Sequence, residues 1–241
     1  MKKIVVSGCS YSTEYQFYLT EKYKLNVTKL ALPGQSNDSI TRKIYDYILN
    51  EKCQDTLFIC QLTWLHRIGF YHDVTNGWLD YQPNFINLTP KYSEENNKLE
   101  IKYHKDSIKV NQKIKISEEY YNELENMYKT YLKLVHNEKE AFNNLLFKVD
   151  SLESFVKKSG NDILFIYWPL LNHETEKTEL QKRKFYNIEG EYSMLNWSTI
   201  NNKNTQIDSH LSGYGVRVFS DILYSFLTNQ TYIKSDNEYL I

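Results

Sequence analysis

The chain has 241 residues, with 29 Lys and Arg against 30 Asp and Glu and a formal net charge of -1. That balance gives no electrostatic reason to expect nucleic acid or an anionic membrane as partner. At 41% hydrophobic and 24% charged residues the chain is globular rather than disordered, and its length suits one sizeable α/β core and is marginal for two.

The apolar run Ile4-Val5-Val6 ends at Ser7-Gly8, the pattern of a buried parallel strand followed by a turn. The flanking Met1 to Cys9 superficially resembles a lipoprotein cleavage site, but its apolar stretch is far too short for a signal segment. No run approaches the roughly 18 apolar residues of a membrane helix. The expected location is therefore the cytoplasm or a phage or virus particle, with no signal peptide and no transmembrane segment. Tyr11 to Lys24 reads as helix, and Val27 to Leu32 as a second strand stopped by Pro33-Gly34. Ser36 or Asn37 is placed to cap a helix running to about Asn50, with Ile40, Ile44, Tyr47 and Ile48 on one face. Thr56 to Leu62 is a third strand. This β-α-β-α-β order predicts a parallel sheet covered on both faces.

From about residue 66 to 117 the pattern breaks into a polar, aromatic insertion, with weak alternation at Lys98 to Tyr103 and Ile108 to Ile116. It is expected to hold short strands or a hairpin and to shape a binding site. A long helical stretch follows from Ser117 to about Lys158, broken near Asn137. Asp162 to Tyr167 is a fourth strand, ended by Trp168-Pro169. After a second polar loop, a terminal helix carries Val216, Phe219, Ile222, Leu223 and Phe226 on one face. The expected fold class is a three-layer α/β/α sandwich around a mostly parallel sheet. One domain spans 1–230, and 231–241 form a loose tail.

Three cysteines, Cys9, Cys53 and Cys60, lack Cys-x-x-Cys spacing and argue against a disulfide framework or a zinc site. Cys53 and Cys60 read as buried small hydrophobes. The histidines His66, His72, His104, His136 and His173 show no ligand spacing, so neither metal nor cofactor is expected.

Four short motifs fall at strand ends, where open α/β sheets place their sites. Gly8-Cys9-Ser10-Tyr11-Ser12 follows the first strand. The glycine permits a sharp turn that sets Ser10 at a helix start, its hydroxyl exposed and its N–H facing a developing anion. The same triplet also serves as a plain glycine turn with a serine cap. Pro33-Gly34-Gln35-Ser36-Asn37 follows the second strand and offers a glycine N–H. Gln61-Leu62-Thr63-Trp64-Leu65-His66-Arg67 ends the third, with Thr63 as a hydroxyl donor and Tyr11, Trp64, His66 and Arg67 as candidate lining residues. Asp208-Ser209-His210 precedes the last helix, and a carboxylate so close to a histidine can orient the imidazole and steady its cation.

Taken in order, these motifs resemble the four blocks of the SGNH (GDSL-like) hydrolase superfamily, over the strand framework at both ends of the chain. Gly8-Cys9-Ser10 is similar to the family's Gly-Asp-Ser, in a variant with Cys for Asp. The resemblance implies Ser10 as nucleophile, His210 as base and Asp208 as its orienting carboxylate. It implies oxyanion donors in the N–H groups of Ser10 and Gly34. Where the third block carries an Asn this chain has Thr63, so the third donor is Thr63 or Asn37. The last block, Asp-x-His, is one residue shorter than the family's usual spacing. The expected function is a serine esterase removing O-acyl groups, foremost O-acetyl, from a carbohydrate or other small ester. Two alternatives stay open: an O-acyltransferase using the same residues, and a non-catalytic binding or assembly protein that keeps the fold.

Overall fold

The computed structural model of the protein describes residues 3–32, 34–63, 65, 67–72, 77–81, 92–93, 98–99, 118–167, 178–180, 182–183 and 213–228. Four parallel strands make the sheet: β1 (Lys3–Ser7), β2 (Val27–Lys29), β3 (Thr56–Leu62) and β8 (Asp162–Tyr167), in the order β2-β1-β3-β8. Between β3 and β8 lie two antiparallel ribbons, β4 (Ile68–His72) with β5 (Gly77–Tyr81) and β6 (Tyr92–Ser93) with β7 (Lys98–Leu99). The helices are α1 (Ser10–Glu21), α2 (Asn37–Glu51), α3 (Glu118–Leu134), α4 (Glu138–Lys158) and α5 (Gly213–Thr228).

Strand side chains alternate between two cores, as a period of two requires. Ile4, Val6, Ile59, Leu164 and Ile166 face α1 and α5, where they meet Tyr15, Leu19, Phe219 and Leu223. Val5, Phe58, Cys60, Leu62 and Phe165 face α2 and α4, where they meet Ile40, Ile44, Val149 and Leu152. Both faces of the sheet are therefore dry, which is why the strands read as continuous apolar runs. The fold is a three-layer α/β/α sandwich, as expected.

Several boundaries differ from the sequence reading. The ladder of β2 stops at Lys29, although Leu30 and Ala31 still donate their N–H groups to the Val6 carbonyl at 2.8 and 3.1 Å. Helix α1 begins at Ser10 and ends at Glu21. The break at Asn137 is a true cap: its side chain accepts from the Glu140 N–H at 3.0 Å. On α5, Phe226 is not part of the core stripe but 46% exposed. The stripe Val216, Phe219, Leu223 continues to Leu227, four residues on from Leu223, so the last turn presents Phe226 to solvent. Cys60 is buried as expected, whereas Cys53 lies only half-buried in the turn before β3. The insertion does contain a hairpin, β4–β5. The alternation expected over 101–103 and 108–116, and the tail 231–241, lie outside the described residues. Among the described residues no helix is long and apolar enough to cross a membrane.

Candidate active site

The sheet order puts the direction change of the chain between β1 and β3: from β1 the chain crosses to β2 on one side, then to β3 on the other. Open α/β sheets form a crevice at such a point, beyond the carboxyl ends of the strands. The loops that begin at Gly8 and at Thr63 leave from that point.

Cys9, with φ -97° and ψ -160°, occupies the N-cap of α1 and makes no side-chain cap bond. Ser10 is therefore the first helical residue rather than the cap. It is half-buried, whereas Cys9 beside it is fully buried in the α1–α5 core. Anchoring the turn by its cysteine leaves Ser10 at the helix start, where backbone N–H groups lack intrahelical partners and favour negative charge.

Gly8 owes its place to space rather than to φ. A Cβ there would stand 2.0 Å from Ser12 Oγ, 2.9 Å from Ser12 Cβ and 3.0 Å from Gln61 Cβ. The crowding reflects a buried bond: Ser12 Oγ donates to Gln61 Oε1 at 2.8 Å. Ser12 and Gln61 are both completely buried, and Gln61 Nε2 has no hydrogen-bond partner among the described residues. Tyr15 lies in the same region, and burial pushes its phenol well above the ordinary tyrosine range, so it stays neutral.

The second loop follows β2. Gly34 sits at φ +79°, in the left-handed region that glycine adopts without strain. The Leu32 N–H is shared between the Gly8 carbonyl and Gln35 Oε1, each at 3.1 Å. Ser36 is the N-cap of α2 and accepts from the Ser39 N–H.

The third loop follows β3. Asn37 grips Thr63 at both backbone groups: the Thr63 N–H donates to Oδ1 at 2.8 Å, and Nδ2 donates to the Thr63 carbonyl at 3.0 Å. That commits the Asn37 carbonyl oxygen and one amide hydrogen to holding Thr63. Thr63 Oγ1 is buried with no hydrogen-bond partner among the described residues. Arg67 is 8% exposed and donates from Nη1 to the Gln35 carbonyl at 3.3 Å.

The segments around the three strand ends are thus stitched pairwise: first to second by Leu32 N–H to Gly8, second to third by Asn37 and Thr63, first to third by Ser12 and Gln61. The structure brings Ser10, Gly34, Asn37, Thr63 and Arg67 to one edge of the sheet. His210, Asp208, Trp64 and His66, and the Tyr11 side chain, lie outside the described residues. Among the described residues no three His, Cys, Asp or Glu side chains cluster to hold a metal ion.

Gln61 stands at the head of the third motif, but no role was drawn for it, although a polar residue in a doubly covered strand was a signal. One residue of the site had no motif to announce it. Asp80, on β5, accepts from the Ser36 N–H, Ser36 Oγ and Ser39 Oγ at 3.0, 2.5 and 2.7 Å. No protein-family model and no curated protein sequence matches the chain.

Proposed function

We propose that the protein is a serine ester hydrolase of the SGNH type, acting on O-acyl, foremost O-acetyl, esters of a carbohydrate or similar small molecule. The observation that carries this reading is the stitched edge, which sets a half-buried Ser10 at the start of α1 beside the Gly34 and Thr63 loops. Ser10 Oγ attacks the ester carbonyl while His210 takes its proton and Asp208 steadies the imidazolium. The carbonyl oxygen gains the negative charge and is held by the N–H groups of Ser10 and Gly34. The Thr63 hydroxyl serves as third donor, supported by its burial and its lack of another partner. The tetrahedral adduct collapses, the alcohol leaves with the proton from His210, and water releases the acyl group by the same steps. Asn37 acts on this reading by fixing the Thr63 backbone.

The test compares the protein with Ser10→Ala on p-nitrophenyl acetate, together with intact-mass analysis after a fluorophosphonate probe. Turnover and a single adduct, both lost in Ser10→Ala, are expected. A folded wild-type protein with neither turnover nor adduct refutes the reading.

A further inference from the structure

The β4–β5 hairpin belongs to none of the four blocks, yet it is fastened to the oxyanion loop. Within the peptide unit joining Gln35 and Ser36, the carbonyl of Gln35 accepts from Arg67 Nη1 at 3.3 Å, and the N–H of Ser36 donates to Asp80 Oδ1 at 3.0 Å. Both polar ends of one peptide plane are therefore held by side chains of the insertion. The approach is close by design of the hairpin: Gly69 pairs with Asp80 across the ribbon, and a Cβ on it would come 2.7 Å from Ser36 Oγ and 3.1 Å from Asp80 Oδ1. Ser36 Oγ and Ser39 Oγ add two further bonds to the same carboxylate oxygen. The α2 N-terminus also favours its negative charge.

This peptide lies one residue beyond Gly34, with the Gly34–Gln35 peptide between them. A glycine at φ +79° imposes little restraint on the peptides beside it, since both signs of φ are open to it. A donor N–H in such a loop keeps its aim only if its neighbours are fixed from outside. We propose that Asp80 and Arg67 are positioning residues that lock the Gln35–Ser36 peptide and so keep the Gly34 N–H aimed at the reacting carbonyl oxygen. The hairpin is then a working part of the ester-hydrolase site, not an appended surface. This inference rests on the reading of Gly34 as an oxyanion donor.

The test uses the full chain and its Asp80→Ala, Asp80→Asn and Arg67→Met variants, each first shown to be folded by its thermal transition. Hydrogen exchange is followed over residues 32–38 and, as internal reference, over α4. Kinetics on p-nitrophenyl acetate are measured in parallel. Asp80→Ala and Arg67→Met are expected to speed exchange over 34–37 but not in α4. They should lower kcat by roughly 10²-fold, the scale of a misaimed donor, with KM little changed. Asp80→Asn keeps an acceptor oxygen and should recover most of kcat. Unchanged exchange over 34–37 overturns the clamp. Faster exchange with unaltered kcat, or a loss expressed in KM, overturns its catalytic purpose. A wild-type protein that exchanges as expected but neither turns over nor labels refutes the hydrolase reading itself, and the catalytic purpose of the clamp with it.

Discussion

Replacing Gly8 by alanine is the most direct probe of how the nucleophile turn is held. The added Cβ meets Ser12 Oγ at 2.0 Å. Rotating that hydroxyl away breaks its 2.8 Å bond to Gln61 Oε1, and still leaves Ser12 Cβ at 2.9 Å and Gln61 Cβ at 3.0 Å. The backbone of the turn must therefore move. Overpacking of this kind costs about 1–3 kcal/mol. Orphaning the buried Gln61 oxygen adds about 1–3 kcal/mol. Reduced freedom of the unfolded chain returns about 0.4–1 kcal/mol. The net is roughly 1–5 kcal/mol of lost stability, or a fall in Tm of roughly 2–20 °C for a chain of this size. Calorimetry of wild type and Gly8→Ala checks the stability, and the rate of fluorophosphonate labelling well below both transitions checks the aim of Ser10. A Tm within about 1 °C of wild type, with an unaltered labelling rate, would refute the argument that the Gly8–Ser12–Gln61 contact fixes the turn.

Other expectations follow from the same contacts. Asn37→Asp keeps an acceptor for the Thr63 N–H but turns a carboxylate oxygen toward the Thr63 carbonyl. It should cost about 1–3 kcal/mol in urea denaturation and lower kcat on p-nitrophenyl acetate by disturbing Thr63. Lys43 is partly buried on α2, donating to the Leu30 carbonyl at 3.1 Å, and burial lowers its ammonium to a pKa of about 8 from the ordinary 10.5. The unfolded chain binds the extra proton between those values, so this group makes stability rise with pH from about 8 to 10.5 and contributes no pH dependence below that window. Discounted for its partial exposure, the gain is about 2 kcal/mol. Wild type minus Lys43→Met, compared by urea denaturation at the two ends of the window, isolates it from the tyrosines. A difference that does not change with pH would contradict the assignment.

The layering was legible because it depends on local pattern. Apolar runs at Ile4 to Val6, Thr56 to Leu62 and Asp162 to Tyr167 alternate with helices, and chains of that order close into a parallel sheet covered on both faces. The strand-end positions of Ser10 and Gly34 followed from the same reading, because a strand that stops at Gly or Pro-Gly must turn there, and that of Thr63 from the end of the apolar run at Leu62. The terminal-helix stripe was legible at Val216, Phe219 and Leu223, but Ile222 is only half-buried outside the core and Phe226 was misplaced. Period alone does not decide between the residue three on from Leu223 and the one four on, and it is Leu227, not Phe226, that continues the stripe.

The contacts that join the site were not legible. Ser12 finds Gln61 across 49 positions, Asn37 finds Thr63 across 26, and Ser36 finds Asp80 across 44. Each pair joins polar groups at or near the ends of strands and helices, with no periodicity to mark them. Such residues pair because the dry interior between the layers leaves a buried polar atom no water to bond. Local sequence thus determined which segments became strands and helices and which residues ended them. Only the packed sheet, by bringing the carboxyl ends of β1, β2 and β3 side by side, decided which polar side chains would satisfy one another there. That is the physical reason a hairpin carboxylate from the insertion holds the loop of a distant glycine.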